Sequence, residues 1–309
     1  MPDIIIFEPM DQLSVDSLAA DYDVLYDLEL INKPDQLASA LAETPAIIVR
    51  NQTQVRQALL DAAPKLKVVG RLGVGLDNID MDACAMRGIQ VFPATGANTI
   101  SVAELVMGAL FVLFRNAYLV SNQVVEGKWP RLELHGREIQ GQTLGLIGFG
   151  AISRAVTTRS KAMGMTVCAF DPFVADDDPV WKDMGVAPMA FNELLSASDA
   201  ISLHVPMTEH TRHLIGREAI STMKDKAVLL NTSRGGIVDE VAMVEALNSG
   251  KLSGAFLDVF ESEPVKKGTH LANVPNLVVA PHIGALTEEA DARVGQLTAD
   301  NVRSVLENT

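Results

Sequence analysis

The stretch that most constrains the fold of this chain lies near its middle, where residues 144–154 read LGLIGFGAISR. A strand-like apolar run breaks into Gly148-Phe149-Gly150 and continues into the helical pattern AISRAVTTRSKAMG. In such a turn the first glycine permits the tight bend, the second lets the backbone approach a pyrophosphate, and the helix start supplies unpaired N–H groups. Ser153 stands where a third glycine is usual, and its side chain is small enough for the helix to lie close to the strand. The stretch therefore predicts a dinucleotide-binding turn, with a purely structural turn as the alternative.

An acidic residue supports this prediction. Asp171 ends the next strand-like run, 23 positions after Gly148. In a dinucleotide-binding fold, a carboxylate at this place accepts hydrogen bonds from the ribose hydroxyls and repels a 2′-phosphate. Pro172 follows it, at a position where an NADP-dependent enzyme often has a basic residue. We therefore expect NAD rather than NADP as the cofactor.

Two series of alternating strand-like and helical segments make up the chain. The first series has predicted strands at residues 4–7, 23–26, 46–49, 67–70 and 89–92. The second has predicted strands at residues 143–148, 166–171, 199–205, 227–232, 253–259 and 276–280. A long helical segment from about residue 101 to 126 separates the two series, and a last helix begins near Thr287 and Glu288. This alternation predicts an α/β protein with parallel sheets, and the near-continuous apolar strands of the second series are typical of a sheet covered on both faces.

The composition argues against several classes of function. The 309 residues include 39 acidic and 25 basic side chains, and the formal net charge of −14 opposes binding to nucleic acid or to an anionic membrane surface. The longest apolar run, residues 105–114, is too short to span a bilayer. The start MPDIIIFEPM has no basic region of the kind found in signal peptides. Cys84 and Cys168 lie among apolar neighbours without a CxxC spacing, so we expect buried, reduced thiols and a cytoplasmic location.

Three polar residues stand directly after strand-like runs of the second series. Arg234 follows AVLLNT, Glu263 follows SGAFLDV, and His282 follows NLVVA. Because the carboxyl ends of parallel strands line the ligand crevice of a doubly wound sheet, we expect these side chains to converge beside the cofactor. The alternatives are a surface arginine, a solvated glutamate and a loop histidine with ordinary partners. His210 and His213 have no further partners at ligand spacing, so we predict no metal site.

Several motifs of the chain resemble those of the D-isomer-specific 2-hydroxyacid dehydrogenase family. The motifs are VRNQTQV, GRLGVGLDNID, TISVAELV, GLIGFGAIS, LHVPMTEHT, NTSRGGIVDE, LDVFESEP and PHIGA. The resemblance runs from about residue 49 to 285. Within the family it is closest to the catalytic part of the D-3-phosphoglycerate dehydrogenases. It implies two doubly wound domains, with a Rossmann NAD-binding domain at residues 99–285 and a flavodoxin-like, discontinuous substrate domain at residues 1–98 and 286–309. Hinges are expected near Asn98 and Gly284, and closure of the two lobes would exclude water during hydride transfer.

The resemblance also implies roles for the three polar residues. Arg234 would bind the substrate carboxylate and carbonyl oxygen, His282 would be the acid–base, and Glu263 would be the partner of the histidine. The chemistry agrees, because oxidation of a 2-hydroxy acid moves a hydride from C2 to NAD while a base takes the hydroxyl proton, and imidazole is suited to this near neutral pH. A neighbouring carboxylate orients the ring and stabilises the imidazolium. A planar guanidinium matches a carboxylate.

The remaining site residues follow from the same motifs. The cofactor-binding residues that we expect are Gly148, Gly150, Ala151, Ile152, Asp171, His204, Val205, Pro206, Thr211, Thr232, Ser233, Asp258 and Gly284. The substrate-binding residues that we expect are Arg50, Asn51, Arg71, Val74, Gly75, Arg234 and His282. The turn Gly73-Val74-Gly75 would present backbone N–H groups to the substrate carboxylate, a structural turn being the alternative. Arg50 and Arg71 at strand ends of an acidic chain indicate an anionic tail on the substrate, and ordinary surface ion pairs are the alternative.

The identity of the substrate stays open. 3-Phosphoglycerate and (S)-3-sulfolactate both have an anionic tail, and the S isomer of sulfolactate has the spatial arrangement of D-lactate because sulfur changes the naming priority. Two departures from the family pattern bear on this choice: PRLELHG replaces a lysine-rich run after Trp129, and Ser233 stands where the family often has Ala or Cys. Reduction of glyoxylate or hydroxypyruvate is a further alternative. Formate dehydrogenases of this family usually have Gln in place of Glu263, which disfavours that activity.

Partners follow from the same resemblance. The segment 100–140, which includes Trp129, resembles the arm through which members of the family dimerise, so we expect a homodimer; a loop lying on the surface is the alternative. A different class of function also remains open, because transcriptional corepressors of this fold bind NAD, retain Arg, Glu and His at these places, and act as nucleotide-sensing scaffolds. The absence of nicotinamide reduction with any 2-hydroxy acid would favour the scaffold.

Overall fold

The computed structural model describes residues 1–116, 120–132 and 134–308. The strands are β1 (Ile4–Ile6), β2 (Val24–Tyr26), β3 (Ala46–Val49), β4 (Val68–Arg71), β5 (Gln90–Pro93), β6 (Thr143–Ile147), β7 (Thr166–Phe170), β8 (Ala187–Pro188), β9 (Ala200–Leu203), β10 (Ala227–Asn231), β11 (Leu252–Leu257) and β12 (Leu277–Val279). The α-helices are α1 (Gln12–Ala19), α2 (Pro34–Leu41), α3 (Gln57–Ala62), α4 (Met81–Met86), α5 (Thr99–Arg115), α6 (Ser121–Val125), α7 (Ala151–Ala162), α8 (Pro179–Met184), α9 (Phe191–Ala197), α10 (Arg217–Thr222), α11 (Glu240–Ser249) and α12 (Glu288–Glu307). A short 3₁₀ turn spans Leu30–Asn32.

The chain divides into two compact units. The first contains Met1–Asn98 and Ala285–Thr309, and the second contains Thr99–Gly284. Ala285 thus falls in the first unit, one residue away from the boundary expected from the sequence. The assignment of substrate binding to the first unit remains a prediction.

The first unit is built on a parallel sheet with the strand order β2-β1-β3-β4-β5. This is the order of the flavodoxin-like fold, which confirms the fold predicted for this part of the chain. Successive residues of a strand point to opposite faces. Ile5 therefore packs in one apolar cluster with Ile47, while Ile4 and Ile48 pack in the other. Both faces of the sheet are covered, so the inner strands β1 and β3 are buried along their whole length.

The C-terminal helix α12 belongs to this first unit although it lies far away in sequence. Its side chains of Thr298 and Val302 pack against β4 at Gly70, where an added Cβ would lie only 2.7 and 2.8 Å from their methyl carbons. Glycine is required there because the helix and the strand approach so closely. The side chain of Thr287 caps the helix by accepting a hydrogen bond from the Ala290 N–H, as the sequence predicted for this start.

The second unit is built on a parallel sheet with the strand order β12-β11-β10-β9-β6-β7-β8. This is the Rossmann arrangement, in which the chain runs outwards from β6 first to one side and then to the other. Along β10, Val228 and Leu230 pack in one apolar cluster and Leu229 in the other, so helices cover both faces as predicted. The pair of residues that forms β8 has no sequence signature, because it is only two residues long and includes Pro188.

The helical segment that separates the two series differs from its prediction. Instead of one helix over residues 101–126, α5 ends at Arg115 and α6 begins at Ser121. Asn116 has a φ of +49°, a left-handed conformation that ends a helix. Residues 117–119 lie outside the described part of the chain, as does Glu133 within the predicted dimer arm. No helix in the described ranges is long and apolar enough to cross a membrane.

Candidate active site

The predicted acid–base pair lies at the carboxyl ends of two neighbouring strands. His282 follows β12 and Glu263 follows β11, and these strands pair in parallel register. The imidazole Nδ1 of His282 is 2.8 Å from Oε2 of Glu263. Both side chains are partly open to solvent, with exposed fractions of 44% for His282 and 36% for Glu263. The pair is therefore formed within the protein and still reachable by a small molecule.

Arg234 follows β10, the next strand of the same sheet, on a turn that is held by Asn231. The Asn231 side chain donates to the Arg234 carbonyl at 2.8 Å and accepts from the Ser233 N–H at 3.0 Å. The Ser233 hydroxyl donates to the carbonyl of Leu203 at the end of β9. The Arg234 guanidinium Nη1 donates to the Ser233 carbonyl at 2.7 Å. The fold thus brings Arg234 to the same sheet edge as Glu263 and His282, while its contact with a substrate remains a prediction.

A buried carboxylate fixes the turn that carries His282. Asp258 accepts hydrogen bonds from the backbone N–H groups of Ile283 at 2.8 Å and Gly284 at 2.7 Å. His282 itself has a φ of +57°, which few residues other than glycine adopt without support. Burial raises the pKa of Asp258 above its ordinary value, and the two backbone hydrogen bonds oppose this rise without cancelling it. Asp258 therefore fixes the backbone of residues 283 and 284, which directly follows His282.

The glycine turn has the geometry that its sequence predicts. Gly148 has a φ of +88°, and a Cβ there would lie 2.4 Å from the carbonyl oxygen of His204. The buried Ser153 hydroxyl donates to the Gly148 carbonyl at 2.6 Å, so the residue in place of a third glycine closes the turn with a hydrogen bond. Asp171 accepts from the Phe149 N–H at 2.7 Å and thereby ties the turn to the end of β7.

The residues around this turn fit a bound dinucleotide. A Cβ at Gly150 would meet open space, and among the described residues no side chain caps the start of α7. Ala151, the first residue of that helix, is exposed and leaves room for a pyrophosphate. In the described part of the chain, the buried hydroxyl of Thr232 at the end of β10 has no hydrogen-bond partner. An uncapped helix start and an unsatisfied hydroxyl on the same sheet edge are what a nucleotide would complete.

The segment that follows β9 lies against the glycine turn. A Cβ on Gly148 would also come within 2.9 Å of the Val205 side chain. The ring of His204 pairs with the Ser202 hydroxyl at 2.9 Å, and burial lowers the pKa of His204 to about 4, so it is neutral at physiological pH. The Thr211 hydroxyl donates to the Pro206 carbonyl at 2.6 Å and closes this loop. No three His, Cys, Asp or Glu side chains of the described ranges are grouped to hold a metal ion.

In the first unit, the loop after β3 is organised around a carboxylate that the sequence analysis did not single out. Glu8 is only 4% exposed and accepts four backbone hydrogen bonds of 2.8–3.0 Å, from the N–H groups of Arg50, Asn51, Gln52 and Thr53. Burial raises the pKa of Glu8, but the backbone hydrogen bonds outweigh this effect, and the pKa is lowered overall. Glu8 is therefore a charged carboxylate that shapes the loop.

Asn78 completes this loop from the other side. Its side-chain amide donates to the carbonyls of Thr53 at 2.7 Å and Arg50 at 3.3 Å. The rule that drew attention to polar residues after the strands of the second unit also applies to Glu8, because it stands just past β1. The same rule gives no reason to select Asn78, since it lies several residues beyond β4.

The two predicted substrate arginines of the first unit have internal partners. The Arg50 guanidinium lies 2.7 Å from Asp291 of α12, at the edge of a cavity of about 290 Å³. The Arg71 guanidinium donates to the Leu72 carbonyl at 2.7 Å and folds over Gly73, whose φ is +137°. Of the other predicted residues, Asn51 and Val74 are exposed and Gly75 is half-buried. The ion pair anticipated as the alternative for Arg50 is present, and a role in substrate binding remains a prediction for all five.

Comparison with known proteins agrees with these features. The family model of the D-isomer specific 2-hydroxyacid dehydrogenase NAD-binding domain matches residues 107–284. The chain is 49% identical over 306 residues to the (S)-sulfolactate dehydrogenase of Chromohalobacter salexigens, covering 99% of both chains. It is 41% identical over 290 residues to the hydroxypyruvate reductase of Thermotoga maritima, covering 93% of both. It spans about half the length of the D-3-phosphoglycerate dehydrogenases that it matches.

A solved structure with bound cofactor is also similar. The D-lactate dehydrogenase of Aquifex aeolicus, in complex with NAD and lactic acid, matches with a TM-score of 0.84 and 29% identity, over 99% of this chain and 95% of that one. The Rossmann strand order, the glycine turn with Asp171, and the Glu263–His282 pair are thus accompanied by similarity along the whole chain. The chain therefore belongs to the D-isomer specific 2-hydroxyacid dehydrogenase family, whose members are NAD-dependent oxidoreductases.

Proposed function

We propose that this chain oxidises, with NAD, a D-configured 2-hydroxy acid that has an anionic tail, and that the tail is a sulfonate, as in (S)-3-sulfolactate. The observation that carries the reaction class is the 2.8 Å contact of His282 with Glu263 on the sheet edge that also holds the glycine turn. The similarity to an (S)-sulfolactate dehydrogenase over 99% of both chains supports the choice of substrate.

His282 is the proposed acid–base. Glu263 occupies Nδ1 of the ring, which fixes a tautomer with the proton on Nδ1 and leaves Nε2 to accept the proton of the substrate hydroxyl. As the ring becomes charged, the carboxylate 2.8 Å away stabilises the imidazolium. When bound, NAD supplies the acceptor for the hydride that leaves C2 of the substrate. In the reverse direction, His282 returns its proton to the carbonyl oxygen.

The proposed role of Arg234 is to hold the substrate carboxylate and to polarise the oxygen on C2. A guanidinium is planar and stays charged, so it matches two oxygens of the substrate at once. Asn231 supports this role because it holds the turn on which Arg234 stands. Arg50, Asn51, Arg71, Val74 and Gly75 are the residues that we propose for the rest of the substrate. Asp291 already pairs with Nη2 of Arg50, so an anionic tail bound by Arg50 would either use the remaining donors of the guanidinium or displace Asp291.

The proposed cofactor contacts follow from the fit of the second unit. The turn Gly148–Gly150 and the start of α7 would hold the pyrophosphate, and Asp171 would accept from the ribose hydroxyls. Asp171 already uses one oxygen for the Phe149 N–H and the other for the Phe173 N–H, and a carboxylate oxygen accepts more than one hydrogen bond. The Thr232 hydroxyl is proposed to hydrogen-bond the cofactor, because it lacks another partner among the described residues.

A comparison of substrates tests the proposal. The purified chain is assayed with NAD and (S)-3-sulfolactate, D-3-phosphoglycerate, D-glycerate or D-lactate, and with NADH and hydroxypyruvate or glyoxylate. We expect kcat/KM for sulfolactate to exceed that for D-lactate by at least about tenfold, as one well-placed charged contact provides. Equal values for the two would refute the anionic tail. A preference for hydroxypyruvate would favour the reductase alternative, which the similarity to a hydroxypyruvate reductase supports.

A variant of the acid–base tests the reaction class. His282→Gln is expected to lower kcat by about 10²–10⁴-fold while the Kd of NAD stays within a small factor, because the ring acts on the proton and not on the nucleotide. His210→Gln, a change of an exposed histidine on a loop, is the control. Near-normal turnover of His282→Gln would remove this residue as the acid–base. NAD binding by the wild type without turnover of any acid would favour the nucleotide-sensing scaffold.

We propose a homodimer in a reducing, cytoplasmic setting. Exposed apolar side chains in the predicted dimer arm support the dimer: Val125 is 83% exposed, Trp129 77% and Leu132 92%. Cys84 and Cys168 are buried and free, which supports the reducing compartment. Light scattering of the purified chain is expected to give the mass of a dimer, and Trp129→Glu is expected to shift it towards the monomer. A wild-type monomer would contradict the proposal.

A further inference from the structure

A buried carboxylate lies behind the acid–base pair in the second unit. Glu240 is the first residue of α11 and is only 5% exposed. Its Oε1 accepts a hydrogen bond from the Glu261 N–H at 2.8 Å, and its Oε2 lies 3.2 Å from Nε2 of His270. Glu240 touches none of the groups that are proposed to react.

The helix itself does not explain this carboxylate. The start of α11 is already capped by Asp239, whose side chain accepts from the Ala242 N–H at 3.0 Å. A charged group in the interior is unfavourable unless its hydrogen bonds are satisfied. A helix start stabilises a negative charge, which makes the position tolerable but gives no reason for a side chain that reaches another loop. The specific partner of Glu240 is the backbone of residue 261.

That backbone belongs to the loop that presents Glu263. Glu261 stands two positions before Glu263, and the N–H of Phe260 donates to Oε1 of Glu263 at 3.0 Å. The other oxygen of Glu263 meets His282 at 2.8 Å. The direction of the Glu263 carboxylate therefore depends on where the peptides of Phe260 and Glu261 lie.

Two further contacts restrain the same loop. A Cβ on Gly235 would lie 1.7 Å from the Phe260 carbonyl oxygen, so the backbone that follows Arg234 is pressed against the loop. The Glu261 side chain pairs with His213 at 3.0 Å on the outer side. The hydrogen bond between Glu240 and the Glu261 N–H differs from these contacts, because its acceptor is a buried side chain on a separate helix. It links α11 to the acid–base pair.

We propose that Glu240 is a positioning residue for the reaction: through the Glu261 N–H it fixes the loop that aims the Glu263 carboxylate at His282. This inference rests on the proposed function of Glu263 and His282. The Nε2 of His270, 3.2 Å from Oε2, is the other polar group beside the buried carboxylate. Loss of the Glu240–Glu261 hydrogen bond would let Glu263 turn away from the imidazole and leave the ring without its orienting partner.

Three substitutions and one control test this role. Glu240→Leu removes the acceptor at similar size, and Glu240→Asp withdraws it by one methylene while keeping the charge. Glu240→Gln retains an oxygen that accepts from the Glu261 N–H. The control is Glu245→Gln on the same helix, a side chain that pairs with Arg217 at the surface. For each variant, kcat, KM for the acid, Kd for NAD, the pH profile of kcat and the melting temperature are measured.

The expected pattern separates positioning from stability. Glu240→Leu and Glu240→Asp should lower kcat by about 10- to 100-fold, as supporting hydrogen bonds around reacting groups do, with little change in the Kd of NAD. The pH profile of kcat for oxidation should differ from that of the wild type, because the ring loses the carboxylate that orients it. Glu240→Gln should stay within about threefold of the wild type, and Glu245→Gln should match the wild type.

Clear results would overturn the inference. If Glu240→Leu fails to fold, Glu240→Asp carries the test. A folded Asp variant with wild-type kcat and pH profile, or a lowered melting temperature with unchanged kcat, refutes the positioning role. An equal loss in Glu240→Gln and Glu240→Leu with an unchanged pH profile would do the same. A wild type inactive on every acid, or an active His282→Gln variant, would instead refute the proposed function itself.

Discussion

Removal of the Glu8 carboxylate should destabilise the first unit and weaken substrate binding together. Glu8 is 4% exposed and accepts the N–H groups of four successive residues, Arg50, Asn51, Gln52 and Thr53, at 2.8–3.0 Å. Two of the residues proposed to bind the substrate, Arg50 and Asn51, stand on this loop. The carboxylate thus links the stability of the loop to its proposed activity.

The expected loss of unfolding free energy can be worked out from these contacts. A hydrogen bond to a charged group contributes about 1.5–3 kcal/mol to the free energy of unfolding. Leaving a buried donor without an acceptor lowers that free energy by a similar amount. Asn51 and Gln52 are exposed, so water can replace Glu8 at their N–H groups, whereas Thr53 is buried and Arg50 half-buried. We therefore count only the hydrogen bonds from the Thr53 and Arg50 N–H groups. Because the alanine variant no longer has to bury a charge, part of this loss is offset, and we expect Glu8→Ala to lower the free energy of unfolding by about 3 kcal/mol. For a unit of this size that lowers the melting temperature by about 10 °C.

The substitution by glutamine is the sharper test. Its amide has one oxygen for two of the N–H donors and must place an NH₂ group against the others, so we expect Glu8→Gln to be nearly as harmful as Glu8→Ala. The control is Glu43→Gln, which changes an exposed acid of the same unit. Calorimetry at neutral pH gives the melting temperatures, and steady-state kinetics should give a raised KM for the acid with an unchanged Kd of NAD. A Glu8→Ala protein within about 0.5 kcal/mol of the wild type would refute the reasoning.

The pH dependence of this contribution has a defined sign. The pKa of Glu8 is lowered in the folded protein, from an ordinary value of 4.5, because backbone hydrogen bonds outweigh burial. A group with a lowered folded pKa contributes stability above its unfolded pKa and loses it as the pH falls through the folded pKa. The difference in melting temperature between the wild type and Glu8→Gln should therefore be constant above about pH 5 and shrink below the ordinary value. A difference that grows on acidification would contradict this assignment.

Three further changes concern the second unit. Asp171→Ala should weaken NAD binding by about 10- to 100-fold and reduce the preference over NADP, measured as the ratio of the two Kd values; an unchanged ratio would exclude the ribose contact. Asp258→Asn places an NH₂ group against one of two backbone donors and should lower kcat by about 10- to 100-fold, measured by steady-state kinetics; normal turnover would show that the His282 turn holds without it. Gly148→Ala should raise the Kd of NAD at least about tenfold, because the added Cβ would lie 2.4 Å from a carbonyl oxygen. The control is Gly250→Ala, at a φ of +76° with open space around it, which should leave the Kd of NAD unchanged. Equal effects of the two substitutions would rule out the clash as the cause.

The sequence by itself determined the features that depend on neighbouring residues. Apolar runs fixed every strand except β8 to within one or two residues, and the switch from a strand to Gly148 and a helix fixed the glycine turn. Parallel strands bring their carboxyl ends to one edge, so the order of Arg234, Glu263 and His282 along the chain was enough to predict a common edge. These inferences succeed because local periodicity and turn chemistry act over a few residues.

The tertiary structure alone decided which distant groups meet. Glu8 and Thr53 lie 45 positions apart, and Arg50 and Asp291 lie 241 positions apart, yet each pair is in direct contact. The packing of sheets and helices decides which carboxylate binds a given N–H group or guanidinium. The type of a residue alone does not predict that partner. Asp258 and Glu240 illustrate the same limit, since their partners are backbone N–H groups, which every residue except proline has. Sequence patterns can locate the side chains that we propose to react, because they stand at strand ends. The groups that hold those side chains in place are determined only by the packing of the chain.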